Sequence, residues 1–229
     1  MQVTGNNNSS ISIQVSLSGY SFSVSEGGQR RSSGWLGADR IFTTPEFQRR
    51  YGQVGISLFT PKFVLVPKSF FNPQEAAAAL SDVVKLRDED QVEYVDEPAF
   101  GAVLVFSNSI GESLSRTIAA TVMDTSGNPS RILPEIHFVL ADLPRCPEYN
   151  KIVCSWRDGY LYMAIAQGKS LRLCNVFAAG DFTTAEYFIF LAMKNLQLNP
   201  EVSTICFRTA LDPDQEMSLY RYFKAVEAL

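Results

Sequence analysis

The chain has 229 residues, of which 46% are hydrophobic and 19% charged, with a formal net charge of −4. That length and hydrophobic content permit one large domain or two small ones, each able to bury a core. The acidic balance argues against a nucleic-acid binder, which presents a basic face.

The polar start, residues 1–10 with Asn6-Asn7-Asn8, lacks the basic-then-apolar order of a secretory signal. No apolar run reaches the roughly 20 residues that span a bilayer. The four cysteines, at 146, 154, 174 and 206, form no CxxC pair, so no zinc ribbon or thioredoxin-type site is indicated. Cys154, Cys174 and Cys206 lie in apolar runs and read as reduced, buried thiols, which suits a cytoplasmic protein. No membrane or nucleic-acid partner is expected, and the sequence names no protein partner or oligomeric state.

Ile11, Ile13, Val15 and Leu17 alternate with Ser12, Gln14 and Ser16. After Ser18-Gly19, Tyr20, Phe22 and Val24 alternate with serines. This period of two predicts a hairpin with one apolar and one serine face. Residues 25–37 read as a loop, with Gly27-Gly28 a linker and Arg30-Arg31 in solvent. Short apolar runs at 54–59 and 63–66, split by Thr60-Pro61, read as strands. Asn72-Pro73-Gln74-Glu75 predicts a capped helix over 76–86. The acids Asp88, Glu89, Asp90, Glu93, Asp96 and Glu97 read as a solvated connection, without calcium-loop spacing. A strand at 102–106 precedes Ser109-Ile110-Gly111-Glu112, a capping-box pattern that opens a helix bearing Leu114, Ile118 and Val122 on one face. Residues 136–140 read as a strand-like run holding His137, the only histidine, and Pro134, Pro144 and Pro147 mark the passage to the second half.

The second half begins with the strongest local signal. Runs at 152–156 and 160–166 flank Arg157-Asp158-Gly159, and Asp-Gly between apolar runs predicts a type I′ hairpin. A third strand is expected at 171–177. Thr183 and Glu186 predict a capping box, with Phe182 stapled to Tyr187. A strand at 202–207 and a last helix from Asp212 to Leu229 follow. That helix has no stop signal, so it ends exposed or continues in a longer natural chain. Tyr220, Tyr222 and Phe223 beside Arg221 and Lys224 form a candidate partner surface.

Four segments carry a family resemblance: Phe63-Val64-Leu65-Val66-Pro67, Asn175-Val176-Phe177, Asp181-Phe182-Thr183-Thr184-Ala185-Glu186-Tyr187 and Leu198-Asn199-Pro200-Glu201. Their wording resembles a bacterial family known as domain of unknown function 3822. The hairpin-led β-β-β-α-β-α order, met twice, is similar to actin-like ATPases, whose lobes are of ribonuclease-H-like type. The resemblance implies an α/β fold of two actin-like lobes, placed at 1–140 and 141–229, each a mixed sheet led by an antiparallel hairpin with flanking helices.

An actin-like ATPase carries an acid beside the glycine turn of each leading hairpin, because magnesium wants hard carboxylate oxygens. Here the first hairpin reads Ser16-Leu17-Ser18-Gly19, and Ser155 and Trp156 stand where the second acid would help. A serine neither holds magnesium as a carboxylate does nor acts as a general base at neutral pH. There is no Walker A motif and no G-x-S-x-G elbow. The expectation is a non-catalytic interaction or scaffold module with no cofactor and no metal site. A second reading is a nucleotide or small-ligand binder that uses the inter-lobe cleft without hydrolysis, with Ser16, Ser18 and Gly19 offering phosphate contacts through hydroxyls and backbone N–H groups; ATP with magnesium stays open on that reading. A third is an enzyme that draws acids from Asp181 or the 88–97 cluster.

Overall fold

A computed structural model of the chain describes residues 9–109 and 112–229. The polar 1–8 stretch and the centre of the Ser109–Glu112 pattern, residues 110–111, lie outside the described residues. In chain order the strands are β1 (Ser9–Ser16), β2 (Gly19–Glu26), β3 (Gln29–Ser32), β4 (Arg50–Tyr51), β5 (Gln53–Leu58) and β6 (Phe63–Pro67). Helix α1 (Ala76–Ser81), β7 (Val92–Glu97), β8 (Ala102–Ser107), α2 (Glu112–Thr121), β9 (Met123–Asp124), β10 (Ile132–Pro134) and α3 (Glu135–Asp142) follow. The remainder is β11 (Asn150–Arg157), β12 (Tyr160–Gln167), β13 (Ser170–Ala178), α4 (Phe182–Asn195), β14 (Thr204–Phe207), α5 (Pro213–Tyr220) and β15 (Ala225–Ala228).

The chain divides into two compact units. Among the described residues the first holds 9–60, 88–91, 107–109 and 112–134, and the second holds 61–87, 92–106 and 135–229. The chain thus passes between the two units five times, last at Pro134/Glu135.

In the first unit a five-stranded mixed sheet has the order β10-β5-β1-β2-β3. β1 pairs antiparallel with β2 and parallel with β5. The alternation of β1 works as expected, with Ile11, Ile13 and Val15 buried in one cluster with Ile118 and Val122 around α2. The serine face is not a solvent face, however, because Ser16 and Gln14 are also buried. The expected 25–37 loop is corrected. Gly27 and Gly28 both take positive φ, and they turn the chain into β3, which pairs with β2. Gly-Gly is therefore a hairpin turn rather than a linker. Arg30 and Arg31 do stand exposed on β3.

The second unit contains a sheet of order β13-β12-β11-β14-β15. β11 pairs antiparallel with β12 and parallel with β14, so each large sheet puts its first strand between a meander and a parallel pair. Ile152 and Cys154 of β11 face a cluster that includes Ile189 and Met193 of α4 and Leu219 of α5. Helix α3 packs against β11 and β12. A further three-stranded sheet, β6-β8-β7, carries α1 through Leu80, Val103 and Val105. β5 and β6 therefore belong to different sheets and do not pair with each other.

Several local expectations are overturned. Residues 136–140 lie in α3, because a short apolar run does not by itself separate strand from buried helix. Helix α1 ends at Ser81 rather than near 86. The 88–97 acids are not all loop, since Val92–Glu97 forms β7. Helix α5 ends at Tyr220, and Ala225–Ala228 adds a parallel strand to β14 through buried Val226. The helix opens on a capping box formed by Asp212 and Gln215.

The cap of α4 also moves. Asp181, not Thr183, is the N-cap, and its Oδ1 accepts from Thr184 N at 2.7 Å. Phe182 lies inside the helix, edge-on to Trp156, and Glu186 Oε1 makes no hydrogen bond. The Thr184 backbone N–H holds the Asp181 carboxyl below its usual range. A carboxyl lowered in the folded state adds stability above its unfolded value and loses it as pH falls through the lowered one. Asp181→Ala is thus expected to lower the melting temperature at neutral pH. Thermal melts of both proteins should converge as the pH drops below the ordinary carboxylate range. Among the described residues no helix is long and apolar enough to cross a membrane.

Candidate functional site

The first hairpin turn places Ser16, Ser18 and Gly19 together. Ser16 is fully buried at the end of β1, and Ser18 is exposed in the turn. The Ser16 and Ser18 hydroxyls lie 3.0 Å apart, and Ser18 N donates to Ser16 Oγ at 3.2 Å. Gly19 has φ +146°, and a Cβ built there would lie 2.1 Å from the Leu36 carbonyl oxygen. That approach follows from pairing, since Tyr20 N donates to Leu36 O at 2.9 Å and Leu36 N to Tyr20 O at 2.7 Å. The close passage of the 36–37 backbone is a sufficient reason for glycine at 19.

The second hairpin turns as expected, with Asp158 at φ 51° and Gly159 at φ 77°. Arg157 Nε lies 3.7 Å from Asp158 Oδ1. At the end of β11 the side chains diverge. Trp156 donates its Nε1 to Ala179 O at 2.9 Å, and its backbone N donates to Thr209 Oγ1 at 3.0 Å. Ser155 points to the other face, is fully buried, and donates to Glu135 Oε1 at 2.6 Å.

Glu135 opens α3 and is itself fully buried. Arg208, the residue after β14, reaches it through Nε at 2.9 Å and reaches Asp142 Oδ2 through Nη1. Asp142 also accepts from Arg145 at 3.0 Å. The Arg208 guanidinium lies over the Phe138 ring, 5.3 Å from its centroid. Burial works against the charge on Arg208, but Glu135 and Asp142 outweigh it and hold its pKa above the usual arginine value. Burial, reinforced by Glu135, pushes the Tyr162 phenol well up. A fork of fixed donors is what suits arginine to two carboxylates at once.

The sequence reading picked out Ser155 but missed Glu135, Asp142 and Arg208. A local signal existed: a charged residue flush against an apolar run, before Ile136 and after Phe207, has to be paired if it is buried. The partners lie 73 and 66 residues apart, so no spacing displays the pair.

Three acids of the 88–97 run have separate partners. Asp90 accepts from Ser107 Oγ at 3.2 Å, and Asp96 pairs with Lys68 at 2.9 Å. Glu97 is buried, not solvated, and meets His137 Nδ1 at 2.6 Å. Among the described residues no group of three or more His, Cys, Asp or Glu side chains is placed to hold a metal ion.

Comparison with solved structures finds the fold. A protein from Bacteroides thetaiotaomicron with an actin-like ATPase fold and unknown function superposes with a TM-score of 0.68 at 16% identity, covering 100% of this chain and 93% of that one. A chain of the PilM-PilN type IV pilus biogenesis complex gives a TM-score of 0.51 at 11% identity, over 96% of this chain and 88% of that one. No curated protein matches by sequence. The fold is thus α/β of actin-like ATPase type. A family model described as "Protein of unknown function (DUF3822)" matches residues 1–226, and the chain belongs to that family.

Proposed function

We propose that the chain is a non-catalytic descendant of the actin-like fold, with 1–140 and 141–229 as its ancestral lobes, working in the cytoplasm as a protein-interaction or scaffold module. The observation that carries this reading is the hydrogen bond from Ser155 to Glu135. Where a hydrolase of this fold needs an acid, this chain has a buried hydroxyl. The nearby Glu135 carboxylate accepts from both Ser155 and Arg208 through Oε1. A general base or magnesium ligand has to have a free lone pair facing its substrate.

Two further observations favour a protein partner. Tyr222 is 53% exposed and Tyr187 61%, with Tyr222 edge-on to Phe190 at 5.0 Å, so aromatic surface is offered to solvent. Exposed Tyr flanked by Arg221 and Lys224 is the composition of an interface rather than of a substrate pocket. Phe223 does not contribute, being buried in the core. The PilM-PilN structure is that of a complex, so the fold is compatible with assembly work.

The rival reading, a nucleotide or small ligand held without hydrolysis, draws on the exposed Ser18 beside Ser16 and Gly19. It is disfavoured because Ser18 N already donates to Ser16, and because the Leu36 carbonyl, an acceptor, fronts Gly19 where an anion would need donors. Phosphate release from ATP or GTP with magnesium tests the proposal. The expected rate equals that of a protein-free control. Release that disappears in Glu135→Gln, or in Asp181→Asn, would restore an enzyme to the argument.

A further inference from the structure

In the second unit two of the four cysteines meet. Cys146 follows the Leu143–Arg145 turn and Cys206 stands in β14. Their sulfurs lie 3.9 Å apart although the residues are 60 apart in sequence. Both are free thiols, 5% and 4% exposed. A small pocket of about 10 Å³ touches both, and its wall includes Pro147, Lys151 and Glu227. Pro147 and Glu227 are exposed, so the pocket borders solvent and has room for a molecule the size of water.

The two thiols are not equivalent. The hydrogen bond with Cys206 holds Cys146 below the usual thiol range, helped by the Lys151 ammonium and against the effect of burial. The same contact and burial push Cys206 up. Burial raises both Cys154 and Cys174, Cys174 to about 12. Low thiol pKa with access to solvent is what selects a cysteine for oxidation.

We propose that Cys146 and Cys206 form a reversible dithiol–disulfide site, oxidised by a small peroxide. The Cys146 thiolate attacks one oxygen of hydrogen peroxide, the O–O bond breaks, and Cys146 sulfenic acid and hydroxide result. The Cys206 sulfur then attacks the sulfenic sulfur. The S–S bond forms, the S–O bond breaks, and the Cys206 proton leaves with the hydroxyl as water. The pair loses two electrons and the peroxide is reduced to water. Closing the sulfurs from 3.9 Å to a bond of about 2.0 Å needs a local side-chain adjustment. The bridge would tie β14 to the segment that leads into β11. It would also bear on the buried ion network, since Cys146 Sγ donates to the Asp142 carbonyl at 3.6 Å and Arg208 follows β14 directly.

The test treats the folded full chain with hydrogen peroxide, alkylates the remaining thiols and maps the peptides. The expected result is a Cys146–Cys206 link, two alkylated cysteines at 154 and 174, reversal by dithiothreitol, and a higher melting temperature for the oxidised protein. Cys154→Ser should keep the link and Cys146→Ala should lose it; the wild-type map stands whether or not the latter folds. Four thiols surviving, a bridge through Cys154 or Cys174, or a link formed only in denaturant would each overturn the proposal.

Discussion

Arg208→Met is expected to lower stability by about 3–5 kcal/mol, the cost of breaking a buried ion pair by removing one partner. Glu135 is fully buried and pairs with this guanidinium, and Asp142, nearly as buried, shares it with Arg145. Arg208→Lys should rescue little, because an ammonium does not reproduce the fork that serves Nε and Nη1 separately. Adding Glu135→Gln to Arg208→Met should recover part of the loss, since an amide strands less charge than a carboxylate. Urea unfolding followed by tryptophan fluorescence reads this, as Trp156 is bonded to Thr209 beside the network. A loss for Arg208→Met below about 1 kcal/mol, the range of surface ion pairs, would mean that the network does not organise the second unit.

Gly19→Ala is expected to be the most damaging small substitution in the first hairpin. Its φ of +146° is poorly open to an L-residue, and such strain alone costs on the order of 1–3 kcal/mol. The Cβ would further meet the Leu36 carbonyl at 2.1 Å, so backbone has to move. Gly159→Ala is the control. Its φ is +77° and its Cβ would find only Gly180 Cα at 3.8 Å, in ordinary contact. It should cost about 1–2 kcal/mol, the price of a left-handed conformation without a clash. Thermal melts of the two variants compare them directly. An equal or smaller effect at Gly19 would leave its glycine unexplained by packing and return it to a ligand role.

Much of the fold is legible in the sequence wherever burial and turn chemistry coincide. Asp158-Gly159 between apolar runs marks its hairpin because the turn needs positive φ and the strands need a buried face. Strands with little burial leave no such trace. Gln29–Ser32 is wholly exposed and owes its place to backbone pairing with β2. Ala225–Ala228 buries only Val226, so the helix signal before it runs on unchecked. At α4 the strong cap is two residues earlier than Thr183, because Asp181 satisfies Thr184 N while Glu186 stays out of the cap. The site divides in the same way. The serines of the two hairpins can be read from the sequence directly. The Glu135–Arg208–Asp142 network cannot, since its members meet only when α3 and the end of β14 pack together.

The central claim is that both hairpins are built for structure rather than for phosphate chemistry. Calorimetric titration of the purified chain with ATP, with and without magnesium, tests it most directly. The expected result is no binding heat and no change in melting temperature in either case. Magnesium-dependent binding would contradict the claim, because it would require carboxylates free to take the ion where Ser16 and Ser155 now hold their hydrogen bonds.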